Sequence, residues 1–211
     1  MNNPEALWTK EEQNFINQLD TPLKIQDYID SIPYNATHET NSPRWVMRKK
    51  RAHCVEGALF AAACLQNIGF RPLVLDMRAV NDDDHVIAVY KQADCWGAIA
   101  KSNFTVIRLR EPVYRSIREL VMSYFDFYFN SIGEKTLRAY SLPLDLRKFD
   151  KQNWQTTDQD LEFISTYLDS MRHHPIISSN QADKLMKVSP SLLKAGMMGS
   201  NPEGLFKPTI D

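Results

Sequence analysis

The segment CVEGALFAAACLQNI, which begins at Cys54, constrains the fold more than any other part of the chain. Apolar residues occupy almost every side of the helix that this segment would form, so protein must cover the helix all round. Gly69 follows it as a natural stop signal. The sequence therefore predicts a buried helix at the centre of the fold.

Three strands are predicted directly after this helix. RPLVLDMRAV forms the first, HVIAVYK the second and CWGAIAK the third, separated by an acidic turn at residues 81–84 and a tight turn at residues 93–94. Both faces of HVIAVYK are apolar, which indicates a central position in the sheet. A buried helix followed by a short antiparallel sheet predicts an α+β core.

Helices are predicted on both sides of this core, in a chain of 211 residues that we expect to form a single domain, 1–211. Thr9 and Glu12 form a capping box for a first helix, and Thr21 with Pro22 begins a second. The predicted parts are N-terminal helices and a loop (1–50), the Cys-helix and sheet core (51–110), C-terminal helices (111–195) and a tail (196–211) that is mobile or lies across the surface. Within 111–195 the helical segments are 111–130, 134–140, 158–171, 182–188 and 191–195.

Composition excludes several classes of function. The chain has 25 Lys+Arg against 26 Asp+Glu, so no electrostatic argument supports nucleic-acid binding. The longest apolar run, residues 57–65, is far shorter than a membrane span, and the first residues lack a signal-peptide pattern. The cysteines (Cys54, Cys64 and Cys95) show no metal-ligand spacing, which favours free thiols in a reducing compartment. We expect a cytoplasmic protein that needs no metal or organic cofactor and binds neither nucleic acid nor membrane.

Cys54 and His85 are the candidate catalytic pair. Cys54 begins the buried helix, where backbone N–H groups and the helix dipole favour a thiolate. His85 begins the central strand and would project from the end of the sheet, within reach of a helix N-terminus. A thiol nucleophile needs such a base. Cys64 and Cys95 are interpreted as structural residues, and His53 as a bystander.

These residues resemble a known family over residues 53–103. HCVEGALFAAACLQNIGFRP is similar to the Cys-helix-strand unit of the transglutaminase-like superfamily, Asp84-His85 resembles its Asp-His strand, and Cys95-Trp96-Gly97 resembles the start of its next strand. The resemblance implies a papain-like fold. It also implies that Cys54 attacks an amide or acyl carbon while His85 accepts and returns the proton.

The resemblance further implies a third residue that orients the histidine. The family pattern has an Asp at the position of Ala100 in this chain. Asn103, Ser102 and Asp94 are the nearby candidates, and Asn103 is preferred because its amide oxygen can accept a hydrogen bond from the ring N–H.

Three interpretations of the function remain open at this point. The chain is either a peptidase, amidase or acyltransferase that acts on a peptide, protein or small acyl substrate, or a catalytically inactive scaffold that binds a protein or peptide. An oxidisable sensor thiol at Cys54 is a third reading. The basic cluster at 44–51 and the acidic turn at 82–84 are interpreted as solvated surface, and the aromatic stripe at 114–129 as core, with Phe127 and Tyr128 as candidates for a partner groove.

Overall fold

The computed structural model describes residues 7–209 as helices packed on both faces of one antiparallel sheet. The helices are α1 (Lys10–Gln18), α2 (Pro22–Ser31), α3 (Pro43–Lys49), α4 (Cys54–Asn67), α5 (Ile117–Met122), α6 (Glu162–Ser170), α7 (Ser179–Ala182) and α8 (Pro190–Gly196). The strands are β1 (Leu73–Ala79), β2 (His85–Gln92), β3 (Cys95–Ile99), β4 (Arg110–Tyr114), β5 (Leu137–Ser141), β6 (Leu144–Asp145) and β7 (His173–Pro175). The expected α+β class is confirmed.

The sheet places the first residue of β2 at one end of its central strands. The strand order is β4-β3-β2-β1-β5-β7, and the short β6 also pairs with β1. Met77 of β1 pairs with His85, and Ala88 of β2 pairs with Ile99 of β3. The first six residues of β2 are buried, which confirms the predicted central strand.

The helix α4 covers one face of the sheet and is enclosed as the sequence predicts, since residues 56–65 are all buried. One apolar core joins α4 to Val86, Ala88 and Tyr90 of β2 and to the helices α1, α2, α3 and α6. A second core lies on the opposite face, where Ile87 and Val89 meet α5 and the aromatic residues that follow it. The period-2 alternation of β2 therefore supplies both cores.

The N-terminal predictions are confirmed in detail, with one correction. Thr9 caps α1 in a capping box with Glu12, and Thr21 caps α2 with Pro22 at the first helical position. The basic cluster, however, is not simply a solvated face. Residues 48–51 are exposed as expected, but Arg44 at the start of α3 is half-buried. Arg44 donates hydrogen bonds to Glu12 at 2.9–3.2 Å and to the Thr156 carbonyl oxygen at 3.2 Å, so this residue ties α1 to the 153–157 segment.

Several helix predictions in 111–195 are wrong. Residues 111–130 contain β4, the short α5 and a 3-10 turn rather than one long helix, because β4 pairs with β3. Residues 134–140 form most of β5, which pairs with β1. The predicted helices at 158–171 and 191–195 correspond to α6 and α8, whereas 182–188 holds only the end of α7. Long-range strand pairing overrides local helical periodicity in these segments.

Candidate active site

A cavity of about 540 Å³ lies where the start of α4 meets the start of β2. The loop before α3, the chain after β3 and the C-terminal segment complete its walls. The lining includes Tyr34, Cys54, His85, Asn103, Tyr128 and Phe206. The two residues of the predicted catalytic pair therefore share one cavity.

The N-terminus of α4 is fixed by a buried capping box that begins with a histidine. His53 Nδ1 accepts a hydrogen bond from the backbone N–H of Val55 at 3.2 Å, which leaves the proton on Nε2 to be donated to the Glu39 carbonyl oxygen at 3.0 Å. The Glu56 carboxylate accepts from the backbone N–H of His53 at 2.9 Å. His53 is thus a helix cap rather than a bystander, and it fixes the direction in which Cys54 points.

The Glu56 carboxylate also holds the loop that forms one wall of the cavity. It is fully buried and accepts hydrogen bonds from the side-chain amides of Asn35 and Asn41 and from the backbone N–H of Asn41, at 2.7–3.2 Å. Sequence reasoning missed this role. The signal available was the His-x-x-Glu spacing, which has the form of a capping box with histidine in place of serine or threonine.

The thiol of Cys54 is neutral at physiological pH. Burial raises its pKa to about 11, while the backbone N–H groups of Val86 and Val55 act in the opposite direction. The expected thiolate is therefore not the resting form, because desolvation outweighs the helix N-terminus. The same contacts show that the backbone directly after His85 faces the thiol, which joins the start of β2 to the start of α4.

The imidazole of His85 is enclosed and neutral. Only 7% of the residue surface is exposed, and the ring packs edge-to-face on Tyr128 with centroids 6.2 Å apart. Burial lowers the pKa of His85 to about 3, and the nearby charges of Arg108 and His53 act in the same direction. Within residues 7–209, no group offers Nε2 a hydrogen bond. An unpaired buried nitrogen of this kind can accept a proton or bind a ligand.

The three candidates for the orienting residue occupy different places. Asp94 is in the turn at the far end of β2, with its side chain 98% exposed and paired to Lys91. Continuing the β2–β3 register would set Ser102 opposite His85, but the Ser102 hydroxyl accepts from the Phe104 N–H at 3.0 Å.

Asn103 lies in the cavity wall with Cys54 and His85, yet it does not orient the histidine. Both polar atoms of its amide are paired with the main chain of Asn201 instead. The expected hydrogen bond from the His85 ring N–H to the Asn103 amide oxygen is thus not present in this arrangement.

Two aromatic residues complete the site, and sequence reasoning assigned neither to it. The hydroxyl of Tyr34 lies close to the backbone N–H of Cys54, and burial raises the Tyr34 pKa well above its usual value. The sequence pattern places Tyr128 in the aromatic core or a partner groove. It is buried against His85, and its hydroxyl donates to the Asp83 carbonyl oxygen at 2.7 Å. This bond fixes the turn that precedes His85.

That turn is less solvated than the sequence suggests. The Thr136 hydroxyl donates to the Asp82 carboxylate at 2.7 Å, and the Ala79 N–H donates to Asp84 at 2.7 Å. Asp84 also lies beside Asp76 and Asp169, and one carboxylate oxygen of each lies within 4.8 Å of the others, as the ligands of a metal ion would. Arg78 pairs with all three carboxylates, so this cluster is an ion-pair network.

Comparison with protein-family models and with curated protein sequences yields no match to this chain. Within the described range 7–209, no helix has both the length and the apolar composition that crossing a membrane requires. All three cysteines are unpaired, and Cys64 is buried in α4 as a small apolar residue, as predicted.

Proposed function

We propose that this protein is a cysteine-nucleophile enzyme that acts on an amide or acyl bond. The observation that carries the proposal is the shared cavity of Cys54, at the start of a buried helix, and His85, at the start of the adjacent central strand. A helix that begins with cysteine and packs on an antiparallel sheet, one central strand of which begins with histidine, resembles the papain-like core of transglutaminase-like enzymes. The resemblance supports the assignment of nucleophile and base.

The protonation states define how the pair would work. Both groups are neutral and, within residues 7–209, nothing is hydrogen-bonded to His85 Nε2. The proton would pass from Cys54 Sγ to His85 when bound substrate brings the two side chains within hydrogen-bond reach, as the sulfur–carbon bond forms. Collapse of the tetrahedral intermediate expels the amine or alcohol, which takes the proton from His85 and leaves a thioester on Cys54. Water then gives hydrolysis, whereas a second amine or alcohol gives transfer. No metal or organic cofactor is needed for these steps.

The developing oxyanion would be stabilised at the N-terminus of α4. The hydroxyl of Tyr34, a residue of the cavity lining, lies close to the backbone N–H of Cys54 there. A hydroxyl that accepts from this N–H keeps its own proton free for the substrate oxygen. Tyr34→Phe should therefore slow acylation more than it weakens substrate binding.

A catalytically inactive scaffold that binds a peptide or protein is the second candidate. The observation that favours it is the absence, within residues 7–209, of a hydrogen bond to His85 Nε2, together with a pKa of about 3 for that imidazole. A histidine held neutral without an orienting partner is a weaker base than a catalytic site normally uses.

Acyl-enzyme formation separates the two candidates. We would treat the protein with an activated ester such as p-nitrophenyl acetate and map the acetyl group by mass spectrometry. The enzyme proposal predicts acetylation of Cys54 in preference to Cys64 and Cys95, and a large loss of that reaction in His85→Ala. Cys95→Ser is the matched control. Equal Cys54 acetylation in the wild type and in His85→Ala would favour the scaffold.

A further inference from the structure

The segment that follows α8, residues 197–209, crosses the cavity, and we call it the C-terminal strap. Asn103 holds one part of it: the Asn103 amide donates to the Asn201 carbonyl oxygen at 2.8 Å and accepts from the Asn201 N–H at 2.7 Å. Asn81 holds the end in the same way, donating to the Thr209 carbonyl oxygen at 3.1 Å and accepting from the Thr209 N–H at 2.8 Å. Each amide thus binds the main chain of one residue.

The chain between these two contacts lies over the candidate active site. Glu203, Gly204, Leu205 and Phe206 all line the cavity. Gly204 approaches the ring of Tyr34 so closely that an added Cβ would be 2.8 Å from two ring carbons. The strap therefore occupies the approach to Cys54 and His85.

Apolar burial does not hold the strap in place. None of its residues, all of which the structure describes, belongs to either apolar core, and Leu205 and Phe206 are only half-buried. Main-chain hydrogen bonds exchange with water at little net cost, so a segment held this way can be replaced by another that offers the same groups.

We propose that the groove beneath the strap binds an extended polypeptide segment, whose main chain Asn81 and Asn103 hold on either side of the cavity. A side-chain amide has N–H groups that donate and an oxygen that accepts, so it can pair with the carbonyl oxygen and the N–H of any residue that keeps its backbone N–H. The strap, a segment of the same chain, fills this groove. That the substrate is a polypeptide rather than a small acyl compound rests on the proposed enzymatic function. That the groove binds a polypeptide does not.

A labelled peptide with the sequence of residues 197–209 tests the groove. In the wild type the attached strap competes at high effective concentration, so we expect little binding. In the full chain carrying Gly204→Val and Thr209→Pro, the first substitution overlaps Tyr34 and the second removes the N–H that Asn81 accepts. We expect this variant to bind the peptide at least about tenfold more tightly than the control Lys207→Ala/Thr209→Ala, by fluorescence anisotropy.

Backbone recognition is tested with modified peptides. N-methylation at the Thr209 position removes the donor and should weaken binding by about tenfold, whereas a Thr209→Ala peptide should bind like the parent. N-methylation at the Asn201 position should weaken binding to a similar extent. In the strap-released protein that also carries Asn103→Ala, the peptide methylated at Asn201 and the parent peptide should bind equally.

Two results would overturn the proposal. One is equal binding of the N-methylated and parent peptides; the other is no binding to the strap-released variant when its circular dichroism matches the wild type. If that double variant fails to fold, Thr209→Pro alone, compared with Thr209→Ala, gives the same contrast at an exposed position.

Repeating the assay with Cys54→Ala separates this inference from the catalytic one. Peptide binding without Cys54 acylation in the parent protein would contradict the enzyme and keep the groove. Acylation of Cys54 without peptide binding would support the enzyme and contradict the groove.

Discussion

Two walls of the candidate site are held in place by different forces. The wall formed by α4 and β2 is apolar and buried on nearly every side, and it carries Cys54 and His85. The opposite wall, the C-terminal strap, contributes nothing to either core and is held chiefly through main-chain polar groups. Stability should therefore reside in the first wall, and access to the cavity in the second.

The difference assigns distinct consequences to mutations on each side. Changes at the start of α4 leave buried polar groups without partners or overlap neighbouring atoms, and both effects destabilise the fold. Changes in the strap expose main-chain groups to water, which replaces the lost partner. Unfolding and thiol accessibility are thus separate readouts of the two walls.

The largest effect is expected at Glu56. Glu56→Ala removes the acceptor of four hydrogen bonds, two of them buried and two partly buried, from the backbone and amide groups of His53, Asn41 and Asn35. We expect the free energy of unfolding to fall by about 4 kcal/mol in urea titrations. Glu11→Ala, at an exposed position in α1, is the control and should change it by less than about 1 kcal/mol. A small loss at Glu56 would show that loop and helix are not held by this carboxylate.

A pH-dependent effect of about 2–3 kcal/mol is expected from His85. Its folded pKa of about 3 lies below the unfolded value of about 6.5, so only the unfolded chain binds a proton between these values. The stability contributed by His85 is therefore full above pH 6.5 and is lost as the pH falls toward 3.

The measurement is the difference in unfolding free energy between wild type and His85→Gln, at pH 7 and at pH 4.5. Asp82, whose pKa burial raises to about 6, acts in the opposite direction over this range, so the whole-protein pH profile is not the readout. The wild type should lose about 2–3 kcal/mol more than the variant on acidification. His38→Gln, at an exposed position, controls for loss of an imidazole. A pH-independent difference would mean that His85 is not enclosed.

A loss of about 2 kcal/mol is expected for Gly57→Ala. Alanine favours a helix over glycine by about 1 kcal/mol, but the added Cβ would overlap the Lys101 Cβ. The Lys101 ammonium donates to the carbonyl oxygens of Ile29 and Ile32, so this side chain cannot easily move away. The Gly57→Ala loss should shrink in a Lys101→Gly background, measured as a double-mutant cycle. An unchanged loss of stability in that background would show that overlap with Lys101 is not its cause.

The same division separates what sequence could predict from what it could not. The α4 helix and strands β1 to β3 follow from local composition, because each element is buried against its neighbours in the chain. The helix expected at 134–140 became a strand because Tyr140 pairs with Met77, more than sixty residues away. Sequence periodicity contains no information on such a partner.

The candidate site divides in the same way. Cys54 and His85 could be found because each begins a locally predictable element. The position of the strap could not be predicted, because it depends on the side-chain amides of Asn81 and Asn103, which are far from the strap in sequence. The prediction that Asn103 orients His85 is wrong for the same reason. The Asn103 amide pairs with the main chain of Asn201, in a segment that the sequence identifies only as a tail.

The smallest effect on stability, and the sharpest test of the division between walls, is expected for Asn201→Ala. This change removes the amide that donates to the Tyr34 carbonyl oxygen at 3.3 Å and the oxygen that caps the Glu203 N–H at 3.1 Å, both partly accessible to water. The unfolding free energy should change by less than about 1 kcal/mol, while alkylation of Cys54 by iodoacetamide should become roughly two- to fivefold faster. Lys207→Ala, on the exposed side of the strap, should alter neither. If Asn201→Ala destabilises the protein as Glu56→Ala does, the strap is part of the fold's stability, and the two walls are not separate in the way we argue. If neither quantity changes, the strap does not limit access to Cys54, and what keeps that thiol from reagents is the enclosure formed by α4 and β2 alone.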